Sequence, residues 1–271
     1  MRIDLVIDAS CPPPHTDAGA QRHPTLERFI ARGERFALDA RDVPSCLRAL
    51  FEVPPAQRLP AAALSALGED IDPGSADWLR LEPVHLRADR SRLLLIPLPP
   101  GDIEPAETSA LHEALAPHLA ACGYDLVVAP SLRWYLRSPR VLDVRTQPPS
   151  GCAGALDEQH LPAGGDGAEL RRMITEAQML LHALPVNDAR EARGKLVVNG
   201  VWPWGNGCMS PLPRSRYTHV FSDDALVRGI ARATGAQAAA LPGHAARVTA
   251  RGSPEDFVLA VCSVARMTLA K

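Results

Sequence analysis

Residues 93–98 read LLLIPL, residues 104–123 read EPAETSALHEALAPHLAACG, and residues 124–130 read YDLVVAP. A short apolar run, a helical stretch closed by Gly123 and a second apolar run spell strand, helix, strand. Strands that are apolar without alternation suit burial on both faces, the condition of a parallel sheet under helices. The pattern repeats on the C-terminal side. LRWYLR (132–137) is a third strand candidate, and AELRRMITEAQMLLHAL (168–184) is the best helix, with Leu170, Met173, Ile174, Ala177, Leu180 and Leu181 at helical spacing. KLVVNGVW (195–202) reads as a strand broken by PWGNG. THVFS (218–222) reads as another, and Ser222 or Asp223 can cap the helix DALVRGIARATG, which Gly235 closes. AAALP (238–242) is a weak strand, and a final helix or strand starts at Pro254. On the N-terminal side IDLVID (3–8) is a strand and residues 24–33 a helix, followed by Pro-punctuated helical pieces at PSCLRALFEV and PAAALSALGED. The whole predicts an α/β fold with a mainly parallel sheet flanked by helices.

Composition narrows the function classes. The 271 residues carry 46% hydrophobic and 22% charged residues, ordinary globular proportions. A net charge of −2 offers no electrostatic footprint for nucleic acid or anionic lipid. No run approaches the ~20 apolar residues of a membrane span, and the start, MRIDLVIDAS, does not read as a secretory signal. The expected location is the cytoplasm. Of 29 basic residues only Lys195 and Lys271 are lysine, and Pro reaches 26, a bias expected of a GC-rich genome and not of a binding surface. The six cysteines (Cys11, Cys46, Cys122, Cys152, Cys208, Cys262) form no CxxC pair, which supports neither a zinc site nor a disulfide framework.

Common catalytic signatures are missing: no GxxxxGK[ST], no GxSxG and no HExxH. The nearest histidine pairs, His112 with His118 and His15 with His23, are wider apart than the usual ligand pairs, and the first is spaced for different helix faces, so no metal ligand is expected among the histidines. One region is chemically dense. Asn187, Arg190, Arg193, Asn199, Trp202, Trp204, Gly205 and Gly207 crowd into a helix end, a strand and a glycine-rich turn. Arg190 and Arg193 can share a helical face, spaced to fork onto a carboxylate or phosphate. Asn199 sits in an apolar run, where an unpartnered amide costs about 1–3 kcal/mol. The alternative is that these residues organise a loop, with Asn as caps, Trp at the core edge and Arg in solvent.

Several blocks carry a family resemblance. Residues 175–213, TEAQMLLHALPVNDAREARGKLVVNGVWPWGNGCMSPLP, resemble part of the archaeal-type cofactor-independent phosphoglycerate mutases, and residues 218–243 resemble the segment that follows there. EPVHLRADRSRLLLIPL and APSLRWYLRS resemble more closely a bacterial offshoot, the regulatory protein RpfE family, and HPTLERFIARG resembles a mutase helix near the N-terminus. The resemblance implies part of the mutase and alkaline phosphatase fold. It divides the chain into an N-terminal strand–helix segment with a Pro-rich linking region (1–80), a mutase-like α/β region (81–245) and a C-terminal segment on the same core (246–271).

The mutases use two divalent metals and a Ser nucleophile, held by an N-terminal Asp-Gly, a D-x-x-GH motif and an ADH motif. Here Asp8-Ala9-Ser10 stands at the first position, and neither later motif occurs in these residues, which stop about where the last ligands would begin. Asp4, Asp8 and Ser10 are the remnant candidates. The resemblance therefore implies a non-catalytic regulatory or accessory protein of RpfE type, with no catalytic or metal-binding residue. It would bind a small anionic metabolite, phosphorylated or carboxylate, or a protein partner. Arg190 and Arg193 would pair with the anion, Asn199 and the Gly205–Gly207 turn would orient it, and Trp202 and Trp204 would wall the site. No cofactor is expected. Manganese or magnesium would enter only with the alternative, a metal-dependent mutase or phosphatase acting through Ser.

Overall fold

A computed structural model describes residues 2–8, 31–34, 38, 40, 43–89, 92–99, 101–152, 154–242 and 255–263. The helix expected over 24–33 lies for the most part outside them, as does Ser10. The described chain forms β1 (Arg2–Asp8), α1 (Val43–Leu50), α2 (Ala61–Gly68), β2 (Asp77–Asp89), β3 (Arg92–Pro97), α3 (Pro105–Ala121), β4 (Asp125–Val128) and β5 (Trp134–Ser138). A helical turn at Pro149–Cys152 leads to β6 (Gly154–Leu156), α4 (Gly167–His182), α5 (Pro185–Ala192), β7 (Gly200–Cys208), β8 (His219–Ser222), α6 (Ala225–Ala233), β9 (Gln237–Ala239) and β10 (Phe257–Ser263).

Two compact units result, one built from residues 1–57 with 212–271 and one from 58–211. These divisions differ from the boundaries at 80 and 245 drawn from composition and resemblance. The first unit holds the expected parallel sheet, in the order β1-β10-β8-β9, with every pairing parallel. The segment after Pro254 is thus a strand, and it lies between β1 and β8. Asp224, one residue beyond the expected caps, begins α6 by accepting from Leu226 N at 2.7 Å and Val227 N at 3.4 Å. Gly235, at φ 85°, lets the chain leave the helix.

The second unit is built on a six-stranded sheet, β4-β5-β2-β3-β6 with β7 on β2, and every pairing in it is antiparallel. Residues 93–98 and 124–130 belong here and not in the parallel sheet. LLLIPL is also less buried than an apolar run suggests: Leu95 is in the core, while Leu93 is exposed. The central strand, β2, is not among the strands expected from the sequence, and it contains Pro83, a residue that usually argues against a central strand. Its partner β5 pairs through Arg80 and β3 pairs from Val84, so Pro83 falls in the gap between them on that side.

Alternation along β2 sorts the two faces. Leu79 and Leu81 join Leu136 beneath Leu111, Leu115 and Leu119 of α3 and Leu170, Met173, Ala177 and Leu181 of α4. Trp78 and Tyr135 take the opposite face, under Ala62, Ala63 and Ala66 of α2. The PWGNG sequence does not break its strand but runs through it, as β7, while residues 195–199 precede the strand. Pro203 is tolerated because, among the described residues, β7 pairs with β2 alone and forms an edge.

Candidate functional site

The eight residues singled out in the sequence are not gathered into one site. Asn187 and Arg190 lie in the first and last turns of the short helix α5, which Pro185 starts. The Asn187 amide donates to Leu181 O at 2.8 Å and Val198 O at 2.9 Å, and accepts from Val198 N at 2.8 Å. It ties the end of α4 to the approach to β7. Arg190 is fully buried. Its Nε donates to Leu196 O at 2.8 Å and its Nη1 to Glu107 at 2.7 Å, while Nη2 pairs with Asp102. Arg193 pairs with Glu107 and, at 3.1 Å, with Glu104. The carboxylates expected from a ligand are supplied by the chain, and each nitrogen of the Arg190 guanidinium already donates to one of its own groups.

Glu107 is the acidic centre of this knot. Burial pushes its pKa up, but the Glu104 N–H and the charges of Arg190 and Arg193 outweigh burial and hold it below its ordinary value. The pull towards α3 fixes the helix start, since Glu107 also accepts from Glu104 N at 2.9 Å.

Asn199 acts at a second place. It accepts from Leu86 N at 2.7 Å and donates to Leu86 O at 2.8 Å, mimicking a strand rung beside β2, and it does not face the glycine-rich segment. Gly205 and Gly207 lie in close contact with the start of α2. Gly205, at φ 71°, would bring a Cβ to 3.1 Å from the Ala61 Cβ, and one at Gly207 would come to 2.9 Å from Pro60. Their missing side chains let α2 begin against β7.

The third place holds Trp202 and Trp204 and is chemically the least settled. Trp202 Nε1 donates to Gln147 O at 2.8 Å, and Trp204 Nε1 to Glu82 Oε1 at 3.3 Å. Arg80, opposite Trp204 on β2, sets its guanidinium 5.2 Å from the Trp204 ring and 5.9 Å from the Tyr135 ring. Its Nη2 pairs with Glu82. Burial decreases along this face, from Trp78 in the core to a Glu82 side chain 31% exposed. Two buried donors here lack a partner, Arg80 Nε and the Tyr135 hydroxyl. Burial drives the Tyr135 phenol far above its ordinary pKa, so it stays protonated and able to donate.

A related pair lies along the same strands. Asn206 accepts from Arg58 at 2.6 Å and from Thr146 at 3.3 Å, while its Nδ2 is unpartnered. Asp77 accepts from Leu142 N at 2.9 Å with one oxygen and leaves the other unmet. Sequence reading missed Arg80, Glu82 and Tyr135. The signal was the alternation in DWLRLE (77–82), which puts two opposite charges on one face of a strand otherwise made of Trp and Leu.

Of the remnant metal candidates, Ser10 lies outside the described residues and Asp4 is engaged by neighbouring side chains. Asp4 accepts from the Tyr217 hydroxyl at 2.9 Å and pairs with Arg2 at 3.2 Å and Arg216 at 3.3 Å. Asp8 ends β1 opposite Ser263 in register. The one group of three or more metal-ligating side chains close together among the described residues is His118, Cys122 and Glu176, none of which belongs to the mutase motifs. No described helix is long and apolar enough to cross a membrane.

No protein-family model matches the chain. A probable 2,3-bisphosphoglycerate-independent phosphoglycerate mutase of Geobacter sulfurreducens is 27% identical over 229 residues, 80% of this chain and 55% of its own length. A 2,3-bisphosphoglycerate-independent phosphoglycerate mutase of Methanothrix thermoacetophila is 35% identical over 72 residues, 27% of this chain and 18% of its own. The chain thus spans about half or less of these curated relatives. Among solved structures, the cofactor-independent phosphoglycerate mutase of Thermoplasma acidophilum aligns with a TM-score of 0.46 at 18% identity, over 99% of this chain and 80% of its own. The sequence matches show homology to the cofactor-independent phosphoglycerate mutases.

Proposed function

We propose that this mutase homologue is a non-catalytic regulatory or accessory protein of the RpfE type, and that it binds a small carboxylate-bearing metabolite at the margin of the α2-covered face of the antiparallel sheet. The observation that carries the reading is the pair of unmet donors, Arg80 Nε and the Tyr135 hydroxyl, on adjacent strands beside the Trp204 ring. A buried donor without a partner costs about 1–3 kcal/mol, which an acceptor oxygen returns. Arg80 is already paired with Glu82 and Arg133 with Glu69, so the local charges balance. That balance favours one carboxylate over a doubly charged phosphate as the group held here, with any phosphoryl group lying further out. Asp8-Ala9, standing where the mutases carry Asp-Gly, supports the non-catalytic part.

The test is a thermal-shift screen of phosphoglycerates and other small carboxylic acids, with and without Mn²⁺, beside a mutase assay. A ligand at a hundred times its Kd adds about 2.7 kcal/mol of stability. The expected result is a shift independent of Mn²⁺ that Arg80→Gln abolishes, without phosphoglycerate interconversion. A shift that requires Mn²⁺ together with turnover would establish the enzyme. No shift with any acid would leave a protein partner as the binding class and overturn the metabolite reading.

A further inference from the structure

The packing of α3 on α4 brings together three side chains that the proposed function does not use. His118 lies in the last turn of α3, Cys122 caps that helix four residues later, and Glu176 comes from α4. Four residues is just over one helical turn, so the imidazole and the thiol share a face. His118 Nε2 stands 3.8 Å from Cys122 Sγ and 3.4 Å from Glu176 Oε2. All three donor atoms lie within 4.8 Å of one another, and each residue is partly exposed.

From this geometry we propose that His118, Cys122 and Glu176 bind one zinc ion, with water in the fourth position. Tetrahedral zinc, with bonds of about 2.0–2.3 Å, places neighbouring ligand atoms about 3.3–3.6 Å apart, within a few tenths of an ångström of the two separations seen here. The donor set is chemically coherent: a neutral imidazole, a thiolate and a carboxylate together cancel the charge of a divalent cation. Without a metal, a single imidazole nitrogen faces both a sulfur and a carboxylate oxygen and has at most one hydrogen to share between them.

Surrounding groups fit the same role. Arg172, one helical turn before Glu176, lies 3.9 Å from Oε1 and leaves Oε2 turned to the histidine. Cys122 is a free thiol. Burial, with the charges of Glu176 and Glu169, pushes its pKa up in the metal-free chain, against the smaller pull of Arg172. Zinc reverses that balance: the S–H bond breaks, the S–Zn bond forms, and the proton goes to solvent. The ion would clamp the end of α3 to the middle of α4, over the core that the two helices share. The site goes beyond the metabolite reading and does not depend on it.

The experiment titrates the full metal-free chain with Zn²⁺ and, as a spectroscopic probe, with Co²⁺. One equivalent should bind, and Co²⁺ should show a thiolate charge-transfer band and the intense d–d bands of four-coordination. Cys122→Ser should abolish the charge-transfer band. It should also weaken zinc binding by on the order of a hundredfold or more, since loss of even an outer partner costs 10–100-fold. His118→Ala and Glu176→Gln should weaken binding too, while His112→Ala should not. Stoichiometric Zn²⁺ should also protect Cys122 of the unaltered chain from alkylation, read by peptide mapping, a measurement that needs no variant to fold. No bound metal, a band that survives Cys122→Ser, or Cys122 alkylated equally fast with zinc present would each overturn the proposal.

Discussion

Two arginines of the second unit are nearly or fully buried, and their surroundings differ in one respect. Arg190, in the last turn of α5, has each guanidinium nitrogen bonded within the chain, to Leu196 O, Glu107 and Asp102. Arg80, on β2, meets Glu82 and two aromatic rings but keeps Nε without a partner, beside a Tyr135 hydroxyl in the same condition. The first arrangement is closed and holds elements together. The second leaves polar capacity unspent where the helix cover of the sheet ends. Residue type says nothing about which of the two an arginine serves; the hydrogen-bond account of each decides it.

The comparison breaks most directly at Arg190. Arg190→Leu should lower the stability of the second unit by about 3–5 kcal/mol, because Glu107 stays buried without its main partner. Urea unfolding followed by tryptophan fluorescence measures this, and a loss below about 1 kcal/mol would mean the knot is not a structural centre.

A smaller effect concerns pH. Glu107 is held below its ordinary value of 4.5, so its contribution is complete above that value and is lost as the pH falls through the lowered pKa. Unfolding midpoints should therefore drop on the acid side of pH 4.5. Glu107→Gln, measured against the parent chain, should flatten that limb.

The smallest change belongs at the open site. The Tyr135 hydroxyl makes no hydrogen bond in the chain itself, so Tyr135→Phe should alter stability by about 1 kcal/mol or less, in the stabilising direction. The same substitution should reduce the acid-induced thermal shift. A large loss of stability would show that the hydroxyl is already engaged, and would close the distinction between the two arginines.

Much of the architecture is written locally. Gly123 and Gly235 end helices where the sequence places them, because both take a positive φ that other residues resist. The apolar spacing of Leu170, Met173, Ala177 and Leu181 fixes the buried face of α4 before any partner is known. The PWGNG segment was misread as a break because Pro and Gly usually interrupt strands. Here an edge position admits the proline, and the close approach of α2 calls for the glycines. Asn187 and Asn199 are legible as polar groups that need partners, but not as to which partners they take.

The sequence by itself determined many of the segments, though not β2 or the course of β7, together with the overall α/β class and the homology to the mutases. Local geometry and short-range apolar periodicity set those features, and both are properties of neighbouring residues. The tertiary structure alone decided that LLLIPL and YDLVVAP join an antiparallel sheet, that Arg190 is consumed by acids more than eighty residues away, and that Glu176 meets His118 and Cys122. Those outcomes depend on which surfaces pack together. No window of sequence contains that information, because the contacts that settle it are made between residues far apart along the chain.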